Sequence, residues 1–136
     1  MEIMEFRENP ASGSRRVLLV EDDPVFRATL EEFLCNHGYQ VITAGNGVDA
    51  LEIYERERDA LHMIVTDICM PEPEDGIGLI RSVRQADARL PIVVATGYDE
   101  YQIVNSTDHL NTMIFDKPFN FGQFHLYLDQ IKNQEA

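Results

Sequence analysis

The sequence has few basic residues, few cysteines and no long apolar run. Eleven Lys and Arg residues stand against 24 Asp and Glu residues, so the formal net charge is -13. A surface this acidic argues against direct binding of nucleic acid. The two cysteines, Cys35 and Cys69, have neither the spacing of a zinc site nor that of a disulfide framework, which favours a reducing compartment. No apolar run approaches the length of a membrane span, and residues 1–14 lack the apolar centre of a signal peptide. We therefore expect a cytoplasmic protein without membrane contact.

The length and composition are those of one globular domain. The chain has 136 residues, of which 44% are hydrophobic and 26% are charged. That is enough to bury a core and too little for two domains. We expect a flexible leader over residues 1–14, a folded domain over 15–133 and a short tail over 134–136.

Five short apolar segments rich in β-branched residues predict buried strands, at residues 16–20, 39–43, 63–66, 91–96 and 112–115. Helical patterns follow each of them, and the pattern over 98–110 is the weakest. Asp23 and Asn120 precede the first and last helices as N-caps, and apolar spacing predicts that Val25 and Val48 face the core. Right-handed crossovers then give a doubly wound α/β fold, with five parallel strands in the order 2-1-3-4-5 and five helices.

Polar side chains stand at the ends of four of these strands. Glu21 and Asp22 follow the first strand, Asp67 the third, Thr96 the fourth and Lys117 the fifth. Taken alone, Asp67 is more easily explained as a helix cap than as a functional acid. In this fold, however, the carboxyl ends of all the strands meet in one crevice. Carboxylates so close together repel one another unless a cation lies between them. Mg²⁺ is the ion that such a set of oxygen ligands favours.

Together these segments resemble the receiver domain of two-component response regulators, over about residues 16–132. The matching pieces are Val-Leu-Leu-Val-Glu21-Asp22-Asp, Asp67-x-x-Met70-Pro71 with a following Gly76, Thr96-Gly97 and Lys117-Pro118-Phe119. Each piece is weak alone, but all of them in order make a specific signal. The resemblance implies the flavodoxin-like receiver fold.

The resemblance also implies a phosphoacceptor and its metal site. Asp67 would take a phosphoryl group from a phosphohistidine on a sensor histidine kinase or a histidine phosphotransfer protein. Glu21, Asp22, Asp67 and the backbone carbonyl of Cys69 would hold Mg²⁺, with Mn²⁺ as an alternative ion.

Residues at the ends of the fourth and fifth strands would bind the phosphoryl group and relay its presence. By the resemblance, Lys117 would pair with Asp67 and then with a phosphoryl oxygen, and Thr96 would move its hydroxyl onto another. Lys117-Pro118 would be a cis peptide. The switch position, commonly aromatic in the family, is Ile114 here, while the adjacent Phe115 should point to the other face of the sheet.

The output and two rival functions stay open at this point. The resemblance implies a downstream target or effector domain contacted through the predicted fourth helix, the fifth strand and the fifth helix, and it allows a homodimer on phosphorylation. The protein would then be a stand-alone receiver or part of a longer regulator, and not an enzyme acting on outside substrates. One rival is a pseudo-receiver that is never phosphorylated, favoured by Ile114 and by a loop at 72–75 one residue longer than usual. The other is an aspartyl-nucleophile phosphohydrolase, which would want an acid where Cys69 stands.

Overall fold

The fold is described here from a computed structural model, over residues 15–68, 74–96, 112–116 and 120–135, with backbone alone at 74, 75, 96, 116, 134 and 135. It contains five strands and four helices in this part of the chain. The strands are β1 (Arg15–Val20), β2 (Tyr39–Ala44), β3 (Met63–Asp67), β4 (Ile92–Thr96) and β5 (Met113–Asp116). The helices are α1 (Pro24–Asn36), α2 (Gly47–Glu57), α3 (Glu74–Ala86) and α4 (Phe121–Glu135).

All five strands are parallel, in the order β2-β1-β3-β4-β5, which confirms the predicted topology. The fifth predicted helix, at 98–110, lies outside the described residues. So do the leader at 1–14 and the first half of the loop at 72–75, of which the last two residues begin α3. Among the described residues, no helix combines the length and apolar character needed to cross a membrane.

Side chains of the preceding residues fix where the helices begin. Asp23 Oδ1 accepts a hydrogen bond from Val25 N at 3.0 Å at the start of α1, and Pro24 occupies the first turn. Asn120 Oδ1 accepts from Gln123 N at 3.0 Å in α4. Both predicted N-caps are thereby confirmed, because each satisfies an amide that the helix itself leaves without a partner. At the other end of α1, Gly38 has φ of 90°, a conformation that suits glycine after a helix.

Two apolar cores lie on opposite faces of the sheet, as a doubly wound fold requires. One core packs α2 and α3 against alternate residues of the central strands, and the other packs α1 and α4 against the residues between them. Strand β5 shows the alternation directly. Ile114 is half-buried against the α2/α3 core, while Phe115 is 7% exposed and belongs to the α1/α4 core. The prediction that these neighbours point to opposite faces is confirmed.

Two apolar residues predicted to face the core are exposed instead. Val25 is 75% exposed and Val48 is 73% exposed. Successive helical residues are rotated by about 100°, so Val48 is about 160° away from the buried Ala50 around α2. Val25 is likewise about 140° away from the buried Leu30 on α1. Both valines therefore lie in the first turn on the outer face of their helices.

Candidate functional site

Three carboxylates converge at the carboxyl ends of β1 and β3. Glu21, Asp22 and Asp67 each offer a carboxylate oxygen, and these oxygens all lie within 4.8 Å of one another. The strand register explains the convergence: Val20 pairs with Thr66, so the next residues along both strands are the acids themselves. Glu21 is 1% exposed and Asp67 is 3% exposed, whereas Asp22 faces solvent. Two acids of the cluster are therefore buried, and the third is open to solvent.

Glu21 is fixed by hydrogen bonds on both its backbone and its side chain. Its amide donates to Ala44 O at 3.0 Å, continuing the pairing of β1 with β2. Its carbonyl accepts from Arg27 Nη1 at 2.7 Å, and its Oε2 accepts from Asp23 N at 3.1 Å. Because Arg27 lies on α1, the helix and the neighbouring strand together set where this carboxylate points.

Asp67 is held by β4 on one side and by α3 on the other. Ile68 N donates to Ala95 O at 3.2 Å, which extends the β3–β4 pairing past the acid. The hydroxyl of Thr66 donates to Asp67 O at 2.9 Å. Gly76 packs against the same carbonyl so closely that a Cβ there would lie 2.9 Å from Asp67 O and 2.8 Å from Ile68 O. Only glycine leaves α3 room to approach the end of β3 at this distance.

The other predicted site residues fall at the limits of the described chain. Cys69, Lys117 and Pro118 lie outside it, so their predicted roles as metal ligand, phosphoryl-binding lysine and cis peptide stay predictions. The backbone of Thr96 ends β4, opposite Asp116 in the register, but its side chain lies outside the description. The backbone topology nevertheless brings the ends of β1, β3, β4 and β5 to one edge of the sheet.

The chemistry of the acid cluster suits a hard divalent cation. All three donors are carboxylate oxygens, which Mg²⁺ and Mn²⁺ prefer over nitrogen or sulfur. Mg²⁺ in proteins commonly takes one or two carboxylates and keeps several waters, and the exposed side of Asp22 leaves space for them. Among the described residues, this is the one group of three acidic, His or Cys side chains spaced to share an ion.

Comparison with known proteins settles the family. The sequence model of the response regulator receiver domain matches residues 17–129. The chain belongs to the response regulator receiver domain family. The matched span includes β2 to β5, all of β1 except its first two residues, and all three acids of the cluster.

Curated relatives of this receiver domain include short and long proteins. It is 29% identical over 111 residues to sporulation initiation phosphotransferase F of Bacillus subtilis, covering 81% of this chain and 87% of that one. It is 34% identical over 115 residues to the transcriptional regulatory protein PdtaR of Mycobacterium tuberculosis, covering 82% and 54%. The match to sensor kinase CckA of Brucella abortus is 39% over 89 residues, 65% of this chain but only 9% of the kinase.

Solved structures show the same fold. A response regulator receiver protein from Sinorhizobium medicae superimposes with a TM-score of 0.79 at 26% identity, covering 93% of this chain and all of that one. A receiver domain protein from Clostridium thermocellum gives 0.80 at 16% identity, over 89% and 96%. The second likeness speaks for the fold alone.

Sequence reasoning did not assign a role to Arg27 and did not explain Gly76. Arg27 follows Asp23 by four residues, a spacing that gives no hint of its bond to the carbonyl of Glu21. Gly76 was part of the family resemblance, but its contact with Asp67 depends on how α3 packs on β3. Both residues contact the backbone at an acid of the cluster.

Proposed function

We propose that this receiver domain accepts a phosphoryl group on Asp67 in a Mg²⁺-dependent reaction and thereby switches a binding surface in a phosphorelay. The donor would be a phosphohistidine on a sensor histidine kinase or a histidine phosphotransfer protein. The observation that carries the proposal is the convergence of Glu21, Asp22 and Asp67 within 4.8 Å at the carboxyl edge of a receiver fold.

The proposed chemistry is an in-line displacement at phosphorus. A carboxylate oxygen of Asp67 attacks, an O–P bond forms, and the P–N bond to the donor imidazole breaks. Later attack by water returns the carboxylate of Asp67 and inorganic phosphate. Burial of Asp67 limits the access of water and of unrelated substrates to the nucleophile. The β3–β4 pairing and the contact with Gly76 hold the backbone of Asp67 for attack from the open side.

Glu21 and Asp22 would hold the metal ion beside Asp67, with the carbonyl of Cys69 as a further ligand. Bound Mg²⁺ supplies positive charge that lets an anionic nucleophile approach an anionic phosphoryl group. The hydrogen bonds from Arg27 and Asp23 keep Glu21 in place for this role. Lys117 and Thr96 would then bind oxygens of the phosphoryl group on Asp67.

The partners and setting follow from the same proposal. The protein would work in the cytoplasm, bind no nucleic acid directly and catalyse only its own phosphorylation and dephosphorylation. A downstream target, an effector domain or a second copy would read the switch through the predicted helix at 98–110, β5 and α4. At the switch position, Ile114 sits half-buried against the α2/α3 core.

Intact mass spectrometry after incubation with acetyl phosphate tests the proposal. We expect the wild-type protein to gain one phosphoryl group with Mg²⁺ present and none after chelation. Asp67→Asn should gain none, because the nucleophile is gone. Asp59→Asn, which removes the same charge from an exposed position after α2, should be phosphorylated as well as the wild type.

Two results would contradict the proposal. Phosphorylation of Asp67→Asn at the wild-type rate would place the phosphoacceptor elsewhere. No mass gain with any small-molecule or phosphohistidine donor would leave a pseudo-receiver, whose function lies in a permanent binding surface.

A further inference from the structure

A pair of histidines joins the end of α1 to α4, on the face of the sheet where these two helices lie together. His37 follows the last residue of α1, and His125 lies in the second turn of α4. His37 Nε2 is 2.7 Å from His125 Nδ1, and the ring planes meet at 65°. The two residues are 88 positions apart in the sequence, so this contact exists only in the folded chain.

The outer nitrogen of each ring faces an atom that can only accept a hydrogen bond. His37 Nδ1 is 2.8 Å from the carbonyl oxygen of Phe33, and His125 Nε2 is 3.3 Å from Asp129 Oδ2. A carbonyl and an ionised carboxylate have no hydrogen to donate, so both outer nitrogens are best satisfied as N–H donors. A neutral imidazole carries one N–H. In two neutral rings with these outer partners, the inner nitrogens would present lone pairs to each other across 2.7 Å, and either a shared proton or a metal ion between them relieves the repulsion.

We propose that His37 Nε2 and His125 Nδ1 form a binding site for a borderline divalent metal ion, of the class of Zn²⁺ and Ni²⁺. The outer partners support this choice over other cations. Metal-binding histidines usually donate their second N–H to a carboxylate or a backbone carbonyl, which fixes the ring and raises its basicity. His37 and His125 have one partner of each kind, Phe33 O and Asp129.

The geometry needs a small adjustment to accept the ion. With metal–nitrogen bonds of about 2.0–2.1 Å in tetrahedral coordination, the two nitrogens would stand about 3.3 Å apart, or roughly 0.6 Å wider than they do. The side chain of His125 is 51% exposed and can move by that distance. The ring of His37 packs against that of Phe33, with centroids 4.3 Å apart and planes tilted by 36°, which restricts its movement. Two protein ligands leave the remaining positions to water.

Some of the surrounding charges favour a cation between the two histidines, and one opposes it. The C-terminal end of α1 and the carboxylate of Asp129 favour a cation. Lys132 opposes it, since its ammonium donates to His37 O at 2.6 Å. The net charge of -13 favours cations over the whole surface. Bound metal would tie α1 to α4 and stabilise the folded state, and it would compete with protons for the same two nitrogens.

Two-dimensional ¹H–¹⁵N spectra of the histidine side chains, recorded with Zn²⁺ added in the presence of saturating Mg²⁺, test the site. The Mg²⁺ is added to fill the separate acid cluster, where the proposed function places it. We expect Zn²⁺ to shift His37 Nε2 and His125 Nδ1 and to leave their outer nitrogens protonated. Thermal denaturation under the same conditions should show a rise in Tm with Zn²⁺ that His37→Gln and His125→Gln each abolish.

Substitution of Asp129, whose carboxylate faces the outer nitrogen of His125, should weaken metal binding without removing a metal ligand. Asp129→Asn should weaken Zn²⁺ affinity by about 10- to 100-fold, the usual effect of losing such a partner. Asp59→Asn removes an equal charge elsewhere and should leave the affinity unchanged. The proposal is overturned if acidification shifts the two inner nitrogens but Zn²⁺ does not, since the pair would then share only a proton. It is also overturned if His125→Gln binds Zn²⁺ as tightly as the wild type.

Discussion

Replacing Gly76 by alanine should destabilise the protein, although alanine is the better helix former. A Cβ at this position would lie 2.8 Å from Ile68 O, 2.9 Å from Asp67 O and 3.0 Å from Ile68 Cα. These are backbone atoms of the strand end and cannot rotate away. Helix α3 would have to move outward by a few tenths of an ångström, together with the apolar side chains it places in the core.

The size of the effect follows from two opposing contributions. Overpacking of this kind costs about 1–3 kcal/mol. The higher helix propensity of alanine returns at most about 1 kcal/mol. We expect Gly76→Ala to lower the free energy of unfolding by about 1–2 kcal/mol, or Tm by roughly 3–8 °C for a domain of this size.

Gly78 provides the matched control, because it lies two residues further along the same helix. No atom stands within 4 Å of a Cβ built there, and the residue is exposed. Gly78→Ala should therefore raise the free energy of unfolding by about 0.5–1 kcal/mol. Urea denaturation measures both variants, provided that the slope of free energy against urea stays constant. If Gly76→Ala proves as stable as Gly78→Ala, α3 does not approach the backbone of Asp67 and Ile68 this closely in solution.

Three further predictions concern a helix cap, the exposed valines and alkaline pH. Asp23→Ala should lower the free energy of unfolding by about 1 kcal/mol, while Asp23→Asn, which keeps the capping oxygen, should not; equal loss in both would refute the capping role. Val25→Ala should change stability by less than about 0.5 kcal/mol, whereas Val83→Ala, at a fully buried position, should cost about 2 kcal/mol or more. The midpoints of urea denaturation would distinguish the Val25→Ala variant from the Val83→Ala variant. Burial raises the pKa of Tyr127 above its usual value near 10.0, against a smaller opposing effect of Arg84. The folded state thus favours the neutral phenol of Tyr127. The contribution of this preference to the free energy of unfolding is fully present below about pH 10 and is lost as the pH rises through the folded-state pKa. Between pH 9 and 11, Tyr127→Phe should lose less stability than the wild type, and parallel losses would count against this assignment.

The sheet was predictable because its strands are short, apolar and β-branched, and because right-handed crossovers allow few strand orders. The acid cluster was predictable for the same reason: once β1 and β3 are neighbours, the residues after Val20 and Thr66 must meet. The alternation of Ile114 and Phe115 followed from the two-residue period of a strand. Each of these conclusions depends on local pattern and topology, which the sequence contains directly.

The valines at the helix starts show where pattern reasoning went wrong. Val25 and Val48 are apolar and close to helical spacing, which predicts core positions for both. Their angular distances from Leu30 and Ala50 place them on the outer face instead. An apolar residue in the first turn of a helix is not evidence of burial.

Other features depend on tertiary contacts that no local pattern contains. The 2.7 Å contact between His37 and His125 joins residues 88 positions apart. Within α4, the four-residue step from His125 to Asp129 could have been noticed as a helical pair. The partner of His125, His37 just after α1, could not be identified in this way, because the packing of α1 against α4 decides which side chains meet.

The backbone at each buried acid of the cluster is held by contacts from neighbouring elements. Glu21 takes its position from Ala44 O and from Arg27, and the residue after Asp67 takes its position from Ala95 O. Strands β2 and β4 therefore brace the cluster from the two sides, and neither contributes an acid to it. A change at the carboxyl end of either strand should move a carboxylate without touching it. Thr96 ends β4, follows Ala95 and stands opposite Asp116 of β5. If Asp67 is phosphorylated, a displacement at the end of β4 would therefore be passed directly to β5.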